Sequence, residues 1–205
     1  MNEFDIKASA WDQNPMHWDR SVAIANEIKR LIPLNREMRA MEYGAGTGIA
    51  SFLLKDDLKE ITLMDSSVEM VKVTHGKIES SEVKNLKVMK FDLEHDVYDD
   101  GKFDLIFTQM VLHHVSDVDS IIGKFRQLLN IGGFLAIADL YEEDGSFHGD
   151  GFTGHNGFNI DKLAEKIGKH SFGDVVHSTC FEIERKISET ENKQYGVFLV
   201  IGRAV

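Results

Sequence analysis

Cysteine is almost missing from this chain, proline is nearly so, and long apolar runs do not occur at all. Cys180 is the single cysteine, so no internal disulfide and no cysteine-cluster metal site can form, which fits a reducing cytoplasm. Both prolines, Pro15 and Pro33, sit near the N-terminus. From Leu34 onward there is no proline, no low-complexity stretch and no repeat, and hence no linker. No stretch approaches the ~20 apolar residues that span a bilayer. The opening Met1-Asn2-Glu3-Phe4-Asp5 lacks a basic segment followed by an apolar one, so no secretory signal is expected. Basic residues are also short: 23 against 34 acidic ones, a net charge of −11. A protein that grips phosphates usually carries a basic stripe, so nucleic acid is not the expected partner and a small molecule is. No membrane span is expected, and the composition leaves monomer and homodimer open.

What is present is ordinary for a globular domain: 42% hydrophobic and 28% charged residues over 205 positions. A chain this long can bury roughly 70% of its unfolded surface. The spacing predicts one domain over residues 34–205, with residues 1–33 as an N-terminal cap belonging to it. The first 17 residues show no clear period. Apolar Val22, Ile24, Ala25, Ile28, Leu31 and Ile32 then trace a helical stripe over residues 18–32, ended by Pro33.

Beyond it, β-like runs at 40–43, 60–64, 86–91, 103–108 and 134–140 alternate with helical patterns at 49–55, 68–80 and 118–130. Such alternation predicts βαβ units in a parallel sheet. A helix at 160–169 precedes two strand candidates, 174–185 and 194–202. Their joint, residues 186–193, is too short for a crossover helix and predicts an antiparallel hairpin. Before that last helix, Gly145, Gly149, Gly151, Gly154 and Gly157 interrupt any regular element and predict a functional loop, read here as a lid.

The strongest local signal is Met41-Glu42-Tyr43-Gly44-Ala45-Gly46-Thr47-Gly48, after a predicted strand and at the start of a predicted helix. Glycines there allow a sharp turn and close approach to a ligand, and the helix start offers free N–H groups. The dinucleotide fingerprint would need glycine at position 49, which is Ile49. Asp65, closing the second strand, can accept two hydrogen bonds from a ribose diol, which suits any adenosine cofactor; it can equally cap the next helix.

The pattern acid-x-Gly-x-Gly-x-Gly resembles motif I of the class I S-adenosylmethionine (SAM)-dependent methyltransferases. The resemblance implies a Rossmann-like α/β fold with a seven-stranded, mostly parallel sheet, an antiparallel C-terminal hairpin and helices on both faces. It also implies SAM as cofactor, S-adenosylhomocysteine (SAH) as product, and a cofactor site at Glu42, Gly44, Ala45, Gly46, Gly48, Asp65, Ser66 and Met70. In that family the loop wraps the amino-acid end of SAM with the acid near its ammonium group, and an apolar residue, here Met70, lies against the adenine. Asp92-Leu93 resembles the family's acidic–apolar pair, whose carboxylate takes a hydrogen bond from the adenine amino group. Phe103-Asp104-Leu105 through Gln109, Leu112, His113, His114 and Val115 resembles small-molecule enzymes related to the quinone-biosynthesis C-methyltransferases, with Gln109 at the cofactor cleft. Adjacent His113 and His114 should diverge, leaving one to face the site.

The residues after the fourth strand, Thr108-Gln109-Met110-Val111, lack the motif of amino-methylating DNA enzymes, and no Pro-Cys dipeptide serves a cytosine C5 enzyme. Gln109 also departs from the acid of metal-dependent catechol-type enzymes, although Asp139 matches a second ligand position there. Candidate proton acceptors are His114, His148 and His155, with His17 from the N-terminal segment. No His-x-x-x-His or carboxylate-paired spacing occurs, so no metal is expected. Trp11, Trp18 and Arg20 lie in a segment that resembles a cap folding over the cofactor. Two other readings stay open: a SAM- or SAH-binding module without catalysis, and an NAD(P)-linked oxidoreductase.

Overall fold

The computed structural model describes residues 3–188 and 190–205. Met1 and Asn2 of the expected cap, and Glu189 of the expected hairpin joint, lie outside the described residues. The elements run α1 (Glu3–Lys7), a 3₁₀ segment (Ala8–Gln13), α2 (Pro15–Leu31), β1 (Arg39–Tyr43), α3 (Ile49–Leu54), β2 (Glu60–Asp65), α4 (Val68–Ser81) and β3 (Leu86–Lys90). They continue with β4 (Phe103–Gln109), α5 (Val118–Leu128), β5 (Leu129–Leu140), α6 (Ile160–Lys169), β6 (Phe172–Lys186) and β7 (Asn192–Ala204).

Seven strands form one sheet in the order β3-β2-β1-β4-β5-β7-β6. Strands β1 to β5 are parallel, and β7 runs antiparallel between β5 and β6. This is the expected Rossmann-like sheet with its C-terminal hairpin. Strand alternation sends Ala40, Leu105, Phe107, Ala136 and Leu199 to one face, against Ile24 and Ile28 of α2 and Ala50 and Leu54 of α3. Met41, Ile106, Leu135, Ile137 and Val200 go to the other, against Ile121, Ile122 and Phe125 of α5 and Leu163 and Ile167 of α6. The chain order reverses between β1 and β4, so a crevice opens above the C-terminal ends of these two strands.

Two element starts differ from the sequence expectation by three residues or more, those of α2 and β5. Helix α2 starts at Pro15, three positions before the periodic stripe, because Asn14 caps it: its side chain accepts from Met16 N at 3.1 Å, and Pro15 fills the first turn without needing a donor. The aperiodic residues before it are ordered by contacts distant in sequence. Ser67 Oγ donates to Asp5 (2.6 Å), Thr47 Oγ1 to Asp12 (2.5 Å), and Lys77 Nζ to Asp12 (2.6 Å) and to the Thr47 carbonyl (2.8 Å). Helix α5 stops at Leu128 and β5 begins at once, at Leu129 rather than Phe134. Residues 130–133 form an irregularity within that strand, since Phe103 pairs with Leu129 and Leu105 with Phe134, and Gly132 takes φ +80°.

Candidate functional site

The crevice is a cavity of about 920 Å³, lined by the N-terminal segment, the turn after β1, the ends of β2 and β4 and the glycine-rich loop. Its floor is the turn after β1. Gly44 (φ +67°) and Gly46 (φ +54°) adopt the left-handed backbone that other residues avoid. A Cβ on Gly44 would overlap the Val111 side chain, while one on Gly46 would project into open space with only Met70 Sδ nearby, at 4.0 Å. That gap is a cradle for a ligand that approaches the backbone closely. Gly44, Ala45 and Gly46 border the cavity, as do Asp65, Ser66, Met70, Asp92 and Gln109.

Three expected cofactor residues stand elsewhere. Glu42 is fully buried behind the turn, where its Oε2 accepts from Ser51 N (3.2 Å) and Ser51 Oγ (2.5 Å). It braces α3 against β1 and does not border the cavity. Burial pushes its carboxyl up to about 8, against the lowering effect of the Ser51 bonds. Gly48 caps α3 at φ +77°, and a Cβ there would lie 2.7 Å from Leu63 Cδ2, so its role is packing. Leu93 is buried among the apolar residues under α5, and its carbonyl accepts from Lys124 Nζ.

Asp65 orders the turn from the adjacent strand. Its Oδ2 accepts from Gly46 N at 2.7 Å and its Oδ1 from Ser67 N at 2.8 Å. Burial raises its pKa, partly offset by those two N–H groups. Each carboxylate oxygen still has a free lone pair for a hydroxyl. The N-terminal segment walls the opposite side through Phe4, Trp11, His17 and Arg20. His17 stacks on Trp11 with ring centroids 4.1 Å apart, and burial lowers its pKa. Trp18 instead points away and is 50% exposed, so only one of the two tryptophans closes the cavity. Arg20 is 6% exposed with no carboxylate at ion-pair distance among the described residues; its Nη1 reaches Met16 Sδ at 3.7 Å and its Nε has no partner. Burial lowers the guanidinium pKa to about 10.

Histidines gather on the turn after β4 and on the glycine-rich loop. Contrary to the expected divergence, His113 and His114, on a 3₁₀ turn (Leu112–His114), both border the cavity with ring centroids 4.2 Å apart, the His113 ring being held there by Asp139 Oδ1 at 2.6 Å from its Nδ1. His148 joins them from the glycine-rich loop, its ring 4.9 Å from that of His113 and stacked on Phe152 at 3.8 Å. Burial, then the neighbouring histidines, lower both His114 and His148 to about 4. His155 does not reach the cavity: its N donates to the His113 carbonyl (2.8 Å) and its Nε2 meets the Val115 carbonyl (3.0 Å), tying the loop down. Sequence reasoning passed over His113 as a site residue and left Asp139 without a partner. The signal for that pair was an aspartate in the apolar run 134–140, which requires a buried partner.

A glycine cradle at β1, an acid at the tip of β2 and a helical cap over a seven-stranded sheet together define a class I SAM-dependent methyltransferase fold. The chain belongs to the methyltransferase-domain family, whose model matches residues 34–192. An uncharacterized methyltransferase of Schizosaccharomyces pombe is 28% identical over 174 residues, covering 82% of this chain and 56% of the yeast protein. The chain thus spans little more than half of that relative's length. Among solved structures, the Haloferax volcanii protein in complex with the Trm112 methyltransferase activator superposes with a TM-score of 0.80 at 18% identity, covering 100% of this chain and 98% of that one. Haemonchus contortus phosphoethanolamine N-methyltransferase 2 in complex with SAM gives 0.72 at 14% identity, covering 91% of this chain and 52% of that one. These two likenesses concern the fold. No helix among the described residues is long and apolar enough to cross a membrane.

Proposed function

We propose that this chain transfers the methyl group of SAM to a small-molecule acceptor by in-line displacement at the sulfonium, releasing SAH. In this reading it is a cytoplasmic enzyme, a monomer or homodimer, with no nucleic-acid partner. One observation carries the proposal: a single cavity joins the Gly44–Gly46 cradle and Asp65 to the histidine cluster. The residues at the first end suit the cofactor. Gly46 leaves room beside Met70, Asp65 has lone pairs for a ribose diol, and Asp92 borders the same end for the adenine amino group. Glu42 serves this end indirectly, by holding α3 and the turn in place.

Bound SAM supplies a methyl carbon already activated by its positive sulfur. The chain therefore has to hold nucleophile and methyl group in line and keep water out. Alignment of that kind accounts for ~7–11 kcal/mol of barrier lowering in well-oriented systems. Trp11, Phe4 and Arg20 close the cavity over the turn, and Asp5 and Asp12 fasten their segment to α4 and to Thr47. At the second end, His114 and His148 are neutral imidazoles, offering lone pairs and no positive charge. Incubation with methyl-labelled SAM and a metabolite extract tests the reading. Label in a low-mass product supports it, whereas tight SAH binding without transfer to any metabolite would leave a binding module in its place.

A further inference from the structure

Three imidazoles with one carboxylate behind them form a cluster that cofactor binding does not use. His113 and His114 lie between β4 and α5, and His148 lies on the glycine-rich loop. One ring nitrogen from each falls within 4.8 Å of the other two. His113 is held in one orientation. Its Nδ1 lies 2.6 Å from Asp139 Oδ1, its backbone N donates to Asp139 Oδ2 at 3.2 Å, and Asp139 has no exposure. A carboxylate on Nδ1 places the proton there and leaves the Nε2 lone pair free. A second observation points to a ligand: the Nε2 of His148 is shielded from solvent yet has no hydrogen-bond partner. A buried polar nitrogen left alone is disfavoured, and two further imidazoles lie with ring centroids 4.9 and 5.6 Å from its own.

We propose that His113, His114 and His148 bind a zinc-class divalent cation, with Asp139 as the carboxylate that orients His113. Three nitrogen donors favour zinc and its first-row neighbours over magnesium or calcium, which take oxygen. A carboxylate–histidine–metal relay is the usual outer support of such sites. Three protein ligands leave a fourth position open towards the cavity, as in zinc centres that bind substrate. Nitrogens on a tetrahedral ion with bonds of ~2.0–2.1 Å stand about 3.4 Å apart, so binding draws the ligands together. The loop permits this: Gly149 and Gly151 closely follow His148 and have no neighbour within 4 Å of a Cβ position. On the methyl-transfer reading, on which this last step rests, the open position takes an oxygen or sulfur of the acceptor and lowers its pKa, its proton passing to water in the cavity; that atom then bonds to the methyl carbon as the carbon–sulfonium bond breaks and SAH leaves. The acceptor is then a hydroxyl or thiol compound.

The test is a titration of metal-stripped, full-length protein with Co(II) alone, followed by displacement with Zn(II). We expect one Co(II) per chain with the visible absorption of a four- or five-coordinate imidazole site. His148→Ala should weaken binding at least tenfold, and Asp139→Asn by about 10–100-fold. His75→Ala, at an exposed histidine on α4, should leave it unchanged. His148 lies on a loop, and retained SAH binding by His148→Ala shows that this variant is folded. Absence of stoichiometric Co(II) binding, or binding indifferent to His148→Ala, overturns the metal site while leaving SAH binding untouched. Metal binding without SAH binding would instead remove the methyl-transfer reading and keep the site.

Discussion

Nδ1 of His113 stands 2.6 Å from Oδ1 of Asp139, both side chains buried, although 26 positions separate them in the chain. The contact joins the end of β5 to the turn after β4, and so fixes the part of the cavity wall that His113 forms. Asp139 also accepts from Leu140 N at 2.7 Å, so its carboxylate serves three donors. Replacing it with asparagine removes an acceptor oxygen and turns an amide N–H towards groups that themselves donate. Asp139→Asn should lose about 1–3 kcal/mol of stability, read as a lower urea midpoint with an unchanged slope. An unshifted midpoint would mean that the pair contributes little.

Asp65 performs two tasks at once, ordering the turn through Gly46 N and facing the cavity. Asp65→Ala should weaken SAM and SAH binding by well over tenfold in calorimetric titrations, in a protein whose circular dichroism is unchanged. Unaltered affinity in that folded variant would remove β2 from the cofactor site.

Glu42 gives the chain a pH signature. Its carboxyl is raised to about 8 in the fold from an ordinary 4.5, mainly by burial. The folded state then binds more protons than the unfolded one between these values. The associated stability is complete below about pH 4.5 and is lost as pH rises through 8. From pH 5.5 to 8.5 the loss should be on the order of 3 kcal/mol. Glu42→Gln, which cannot ionise, should flatten that slope in urea unfolding. An equal slope in both proteins would assign the pH dependence to other groups.

Arg20 is a buried cation with no carboxylate at ion-pair distance among the described residues, and the attraction of Asp139 offsets its burial only in part. An isolated buried charge destabilises a fold, and an apolar side chain of similar length removes the penalty. Arg20→Met should therefore raise stability by about 1–3 kcal/mol, measured as a higher unfolding midpoint without ligand. A lower midpoint would show that Met16 and the surrounding packing satisfy the guanidinium.

Strand–helix alternation, the glycine turn and Asp65 were legible in the sequence because each depends on residues close together in the chain. The antiparallel hairpin was legible too, since its short joint allows nothing else. An N-terminal cap was expected, but the helical structure of residues 3–13 was not legible, because Asp5 and Asp12 order it by reaching Ser67, Thr47 and Lys77. The start of β5 escaped because Gly132 and Gly133 read as a turn, and only pairing with β4 reveals a strand with an irregularity. Glu42 read as a ligand contact and stands behind the turn, because its strand position aims it at Ser51. The histidine cluster was the least legible part. Its members have no metal-site spacing and meet only when the loop bearing His148 is tied back through His155 to the His113 carbonyl.

Calorimetric titration of purified, folded protein with SAH, SAM and NAD decides whether the Gly44–Gly46 turn and Asp65 hold a SAM site. One site per chain for SAH and SAM, and no heat from NAD, is the expected result. Binding of NAD, or silence towards both SAM and SAH, would rule that site out.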